Sequence, residues 1–238
     1  MNILAIESSG LTAGIAVFKD ETMVADVNVN YKKTHSQTLV PIMDEVTKMI
    51  ELDLTTLDAI AVSKGPGSYT GLRIGAATAK GMGLALNIPI IEVPTLNAMA
   101  YNFVGTDSLV CPMMDAKRTE VFTGLFDFNG EKENVILDST ALPVRDIVEK
   151  INSLNRKVIL LGDGAANYRD IIEAELKVPY MFAPPSRSMQ SAGSVGALGM
   201  VLFKEGKSVN ARDHVPEYLK VSQAERERNE AMERTGGN

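Results

Sequence analysis

Ser63-Lys64-Gly65-Pro66-Gly67-Ser68-Tyr69-Thr70-Gly71-Leu72-Arg73-Ile74-Gly75 joins a predicted strand over 57–63 to a helix that runs to about Leu86. Glycines in such a connection permit positive φ and close backbone approach. The free N–H groups of a helix start can hold an anion, so a phosphate cradle is one reading of this loop. A tight connection with a packed helix start is the other. A Walker A loop is excluded, because no Lys-Ser or Lys-Thr pair closes the glycine run. Beyond the loop, Gly71, Gly75, Ala79 and Gly83 recur every fourth residue and share one helix face. Small residues on a ridge admit a second helix at short range. The same ridge could equally pack on the chain's own sheet. Each glycine inside the helix costs up to ~1 kcal/mol against alanine, so Gly75, Gly81 and Gly83 imply a packing or functional constraint.

Working outward, the first half alternates strands and helices. Strands are expected at 2–7, 13–18 and 23–29 from their apolar patterning. Thr34 and Gln37 have the spacing of a capping box, followed by an amphipathic stripe of Leu39, Ile42, Met43, Val46, Met49 and Ile50. Pro41 removes one helical hydrogen bond, which predicts a kinked first turn or a later start. A strand at 59–62, the glycine-ridge helix, a strand at 88–93 and a helix at 95–103 complete this half. The second half repeats the scheme, with strands at 109–114, 120–128 and 134–138, a helix at 143–154, a strand at 157–161 and helices at 168–176 and 191–205. Gly206 provides the final stop. The repetition implies an internal duplication: an N-terminal α/β lobe over 1–104, a C-terminal α/β lobe over 105–221, and a polar, solvated tail over 222–238.

Composition narrows the function. The 238 residues suffice for one large domain or two modest ones, and 45% hydrophobic with 23% charged residues is ordinary for a soluble globular protein. No apolar run approaches the ~18 residues of a membrane span, and no basic leader precedes the first strand. Cys111 is the single cysteine, which excludes an intrachain disulfide and a multi-cysteine zinc site. These features point to the cytoplasm. A formal net charge of −6 and 5% aromatic residues argue against direct nucleic-acid binding, which needs clustered cations and stacking surfaces.

No catalytic constellation is positively marked in the sequence. His35 and His214, the two histidines, lie far apart and neither has a partner three or four residues away. No G-x-S-x-G elbow surrounds Ser8, Ser9, Ser63 or Ser68. Ser8-Ser9-Gly10 reads better as a hairpin turn than as a phosphate contact. Gly162-Asp163-Gly164 reads better as a strand-to-helix turn than as a nucleotide site, because the third glycine of a dinucleotide fingerprint is missing.

The segment 63–86 resembles the signature of the bacterial TsaB (YeaZ) family. Supporting matches are Ile6-Glu7-Ser8-Ser9, Thr34-His35-Ser36 ahead of Leu39-Val40-Pro41, Met114-Asp115-Ala116-Lys117-Arg118-Thr119-Glu120-Val121-Phe122, and Pro216-Glu217-Tyr218-Leu219. They keep the family's order from residue 3 to residue 220. The resemblance implies a duplicated actin-like ATPase fold, in which a nucleotide commonly sits between two α/β lobes, each a mixed sheet flanked by helices. It also implies a non-catalytic partner of the paralogous transferase TsaD, in the transfer of threonylcarbamoyl to the adenosine beside the anticodon of certain tRNAs. TsaE, an ATPase, and TsaC, which makes the threonylcarbamoyl-adenylate donor, complete the implied pathway. TsaD carries an H-x-x-x-H metal pair where this chain has Thr95 and Met99. Leu11 and Thr12 stand where TsaD has an acidic pair, and its late metal-binding aspartate aligns near Ser191. No catalytic residue, metal or cofactor is therefore expected, and tRNA contact is expected only through partners. The expected interface, for TsaD and for self-association, is Leu39, Ile42, Met43 and Val46 with Gly71, Gly75, Ala79 and Gly83. The competing expectation is an ATP-dependent kinase or transferase of the same fold, or, third, a protease-like hydrolase.

Overall fold

The computed structural model describes residues 1–31 and 34–220; the tail over 222–238 lies outside the described residues. Apolar alternation and β-branched residues build two five-stranded mixed sheets. The first is laid out by a meander of β1 (Asn2–Glu7), β2 (Ala13–Lys19) and β3 (Thr22–Val29), which pair antiparallel. The chain then passes through α1 (His35–Met49) to β4 (Ala59–Gly65), and through α2 (Tyr69–Leu86) to β5 (Ile90–Pro94), both strands adding in parallel. The strand order is β3-β2-β1-β4-β5. α3 (Thr95–Tyr101) leads out of this sheet.

The second sheet repeats the plan. A meander of β6 (Leu109–Asp115), β7 (Glu120–Asn129) and β8 (Lys132–Pro143) precedes α4 (Val144–Leu154), β9 (Val158–Leu161), the short helices α5 (Asp163–Asn167) and α6 (Arg169–Glu175), and β10 (Tyr180–Phe182). Its order, β10-β9-β6-β7-β8, is that of the first sheet read from the other edge. α7 (Pro185–Ser188) and α8 (Ala192–Lys204) follow, with Gly206 at φ 74° ending the last helix as expected.

Three expectations need correction. Thr34 does cap α1, but its side chain accepts no helix N–H; its carbonyl accepts the Gln37 N–H at 2.9 Å. The helix starts at His35 and runs through Pro41, whose ring is exposed to solvent. α8 does not belong to the second lobe. It packs Ala192, Val195 and Leu198 on Ile3, Ala5, Phe18 and Ile91 of the first sheet, so the lobe drawn over 105–221 is not contiguous in space. Glycines at 193 and 196 allow this approach, since a Cβ on Gly196 would run into the Phe18 ring. The face opposite α8 is covered by α1 and α2, which bury Leu39, Val46 and Ala79 on Leu4, Ile6, Ile60 and Val62. α3 lies between the lobes, with Leu96 and Met99 packed on Val110, Met114 and Phe126 of the second sheet.

Candidate functional site

The ridge on α2 turns inward. Gly71, Gly75, Ala79 and Gly83 are all buried. A Cβ on Gly71 would collide with the Ser8 carbonyl, and one on Gly75 with the Ser8 hydroxyl. At Gly83 a Cβ would lie 2.8 Å from Ala211 Cβ. Of the two readings open to the sequence, packing on the chain's own framework is the one these distances support. The expectation that the ridge itself faces a partner is corrected. Leu39 and Val46 are buried too, leaving Ile42 and Met43 half-buried at the edge of that core.

One turn around α2 the surface is different. Ala77, Gly81, Leu84 and Ala85 are exposed, and Leu84 is 50% exposed. A Cβ on Gly81 would meet nothing within 4 Å, so no intrachain contact requires a glycine there. Val40 and Met49 stand exposed on α1, Met49 at 80%. From Ile74 to Leu86 the only charge on α2 is Lys80, and its ammonium is taken up by the carbonyls of Arg212 and His214, each at 2.9 Å. A solvated helix face normally carries charge, and an uncharged one with bare methyls is the mark of a contact surface.

Between the lobes lies a cleft of about 370 Å³. Its first wall is the β1–β2 loop and the start of α2. Ser68 caps α2 by accepting the Gly71 N–H, at 3.3 Å, and its own N–H donates to the Ser9 carbonyl at 2.6 Å. The serine donors here are spent inside the chain: Ser8 Oγ donates to the Gly71 carbonyl at 2.9 Å, while the Ser9 N–H and Oγ–H both donate to Glu7 Oε1, at 2.5 and 2.6 Å. Burial pushes Glu7 up to about 7, against the pull of those Ser9 bonds. These contacts favour the tight, packed connection over the phosphate cradle.

The opposite wall is the β6–β7 turn, where Lys117, Arg118 and Thr119 all have positive φ, 66°, 58° and 60°. Non-glycine residues in this region cost about 1–3 kcal/mol each and persist only where surroundings enforce them. Asp115 does much of the enforcing. Its carboxylate accepts from Lys117 N and Nζ, each at 2.8 Å, and from the Tyr168 hydroxyl at 2.9 Å. Burial opposes ionisation of Asp115, yet the Lys117 bonds hold its carboxyl below the usual range. Asp163, which accepts the Asp115 N–H at 3.1 Å, is raised by burial. Gly162, at φ 96°, has no room for a Cβ beside the Met113 carbonyl, in keeping with a strand-to-helix turn.

The two histidines are far from one another's chemistry. His35 Nε2 lies 2.8 Å from the Gly10 carbonyl, and buried His214 pairs through Nδ1 with Glu92 Oε1 at 2.8 Å. Thr95 and Met99 are both buried in α3, Met99 among apolar neighbours of the second sheet. Among the described residues no group of three or more His, Cys, Asp or Glu side chains is placed to hold a metal ion. Sequence reasoning missed the segment 207–220, which leaves α8 and binds β5, α2 and the end of β4 in turn. Its only sequence signals were His214 and the Pro216–Leu219 motif, neither of which declares a spatial neighbour.

Two duplicated mixed sheets with a cleft between them define an actin-like ATPase fold, here a chain with its loop serines and glycines turned to internal packing. Residues 24–228 match a family model described as TsaD, tRNA N6-adenosine threonylcarbamoyltransferase. The chain is 33% identical to the tRNA threonylcarbamoyladenosine biosynthesis protein TsaB of Bacillus subtilis, over 94% of its own length and 96% of that protein. It superimposes on YeaZ from Pseudomonas aeruginosa with a TM-score of 0.79 at 22% identity, covering 92% of this chain and 99% of the other. The inorganic polyphosphate/ATP-glucomannokinase of an Arthrobacter strain shares the fold at a TM-score of 0.50 and 10% identity, covering 86% of this chain and 99% of the other. The chain belongs to the family that the TsaD model describes and, within it, to the TsaB (YeaZ) family. Members of that family are named for the biosynthesis of threonylcarbamoyladenosine in tRNA.

Proposed function

We propose that this protein serves threonylcarbamoyladenosine formation as the non-catalytic subunit of a TsaD-type transferase, which it contacts through the outer face of α1 and α2. The observation that carries the reading is the uncharged, exposed face of Ala77, Gly81, Leu84 and Ala85 on α2, with half-buried Ile42 and exposed Met49 on α1, the helix packed beside it. Gly81 is the centre of it. A glycine inside a helix costs up to ~1 kcal/mol, and the open space around Gly81 gives the isolated chain nothing in return. Close approach of a partner helix supplies the return, because backbones near a glycine meet without a side chain between them. The same face explains self-association of the chain when the transferase is absent. Contact with TsaE follows from the assembled pair, and contact with tRNA runs through the transferase, since a chain of net charge −6 lacks a cationic track of its own.

The test is a pull-down by the transferase of the wild type and of Gly81→Leu and Ala77→Arg variants. Both substitutions point into solvent in the isolated chain, so both variants fold, Gly81→Leu melting no lower than the parent, and both lose the transferase. Retention of the transferase by both variants would refute the assigned face.

A further inference from the structure

The segment that the sequence left unread ends in a device of its own. Val209 exchanges two backbone hydrogen bonds with Ile90, each 2.9 Å, and so covers the free edge of β5. Ala211 then seats against Gly83, Lys80 grips the backbone at Arg212 and His214, and His214 pairs with Glu92. Glu217 donates its N–H to the Lys64 carbonyl at 2.8 Å, and its own carbonyl fills the space that a side chain on Gly65 would need. Tyr218 stacks on Tyr69 with ring centroids 4.7 Å apart. Each of these contacts is with the first sheet or with α2.

At the next two residues the segment crosses the cleft. Leu219 packs on the cluster beneath the second sheet that contains Met114 and Phe122. Lys220 donates to the Ala116 carbonyl at 3.1 Å, pairs with the Glu120 carboxylate, and stands 5.6 Å from the centre of the Phe122 ring. The two ends are unequal. The first-lobe end is built into glycine cradles and a hydrogen bond between buried His214 and part-buried Glu92. Among the described residues the second-lobe end rests on one apolar side chain and one ammonium, whose carboxylate partner is 37% exposed.

We propose that Leu219 and Lys220 form a releasable clasp that sets the separation of the two lobes and ties that separation to α2. The clasp closes over the β6–β7 turn, whose left-handed backbone presents the Ala116 carbonyl and Glu120 together. Because its lobe-two end depends on a partly exposed ion pair, added salt weakens it, whereas the first-lobe end keeps its backbone hydrogen bonds and glycine contacts even where salt screens the pairs of Lys64 with Glu92 and Glu217. The inference concerns the isolated chain and stands or falls independently of any partner on α2.

The experiment is an inter-lobe distance measurement by pulsed electron resonance on the full chain. Spin labels are placed at Glu205→Cys after α8 and Lys150→Cys on α4, both exposed sites. The native Cys111 is buried and its thiol is pushed up to about 12, so it stays unlabelled. Labelled chain is diluted into excess unlabelled chain to suppress distances between copies. The parent protein gives one narrow distribution that broadens at molar salt. The double change Leu219→Ser with Lys220→Gln shifts it to longer distance by several ångströms, and Lys220→Arg restores the narrow peak. Hydrogen exchange in β1, β4 and α2 stays at the parent level in all variants, which separates clasp release from unfolding. An unshifted distribution in the double variant, or a Lys220→Arg variant as open as the double one, would overturn the clasp.

Discussion

Replacing Glu7 by glutamine should make the protein more stable at neutral and alkaline pH. Glu7 is 1% exposed, at the end of β1, and its carboxylate has Ser9, with weaker help from Ser63 and the Ser8 N–H, in exchange for water. Burial raises it from 4.5 to about 7. A folded-state value above the unfolded one means that the ionised form is disfavoured by folding. The cost is absent below 4.5, grows between 4.5 and about 7, and is complete above that. The gap corresponds to roughly 3 kcal/mol lost at about pH 8, of which about 2 kcal/mol returns on acidification to about pH 5.5. Glutamine keeps an acceptor for Ser9 and removes the ionisation. Urea unfolding at the two pH values checks this, read as the difference between variant and parent so that other titrating groups cancel. The variant should lead the parent by up to that amount at the higher pH, with the lead shrinking at the lower. A lead that is the same at both pH values would refute the reasoning, because it would show Glu7 protonated throughout or its carboxylate fully compensated.

Other expectations follow from the same contacts. Gly75→Leu should lower stability by at least the 1–3 kcal/mol typical of overpacking, since even its Cβ collides with Ser8; thermal unfolding measures it. Gly81→Ala should do the opposite, raising the isolated chain's stability by up to ~1 kcal/mol, because the site is helical and open. Elemental analysis after dialysis should find no stoichiometric zinc or iron, given the scattered histidines and single cysteine. Anisotropy titration with tRNA should give weak binding at physiological salt for the chain alone, as its net charge of −6 requires.

Much of the fold was legible because its elements are written in local patterns. The meander strands, the glycine loop ahead of α2 and the stop at Gly206 each announce themselves through periodicity or backbone freedom, and the duplication followed from their order. β10, three residues long, is too short for any period to register, and β8 extends through Ser139-Thr140-Ala141 where no alternation marks it. The return of α8 to the first sheet was invisible for another reason. Its sequence specifies an apolar helix with small residues, and nothing in it names the sheet that Gly193 and Gly196 will approach. The ridge of α2 illustrates the same limit. Spacing identified a line of small residues, but a close approach to Ser8 and one to a partner helix require the same spacing. Only the burial of Gly75 beside an open Gly81 distinguishes the inward line from the outward one. The His214–Glu92 pair joins residues 122 positions apart, which no local pattern encodes.

The most direct test of the account is a reconstitution with purified TsaD-type transferase, TsaE-type ATPase, threonylcarbamoyl-adenylate and tRNA, with and without this protein, scoring threonylcarbamoyladenosine in the digested tRNA. Product is expected when the chain and the transferase are both present, none from the chain without the transferase, and loss of product when Gly81→Leu replaces the wild type. Product from the chain in the absence of the transferase, or equal product from the transferase whether or not the chain is added, would contradict it.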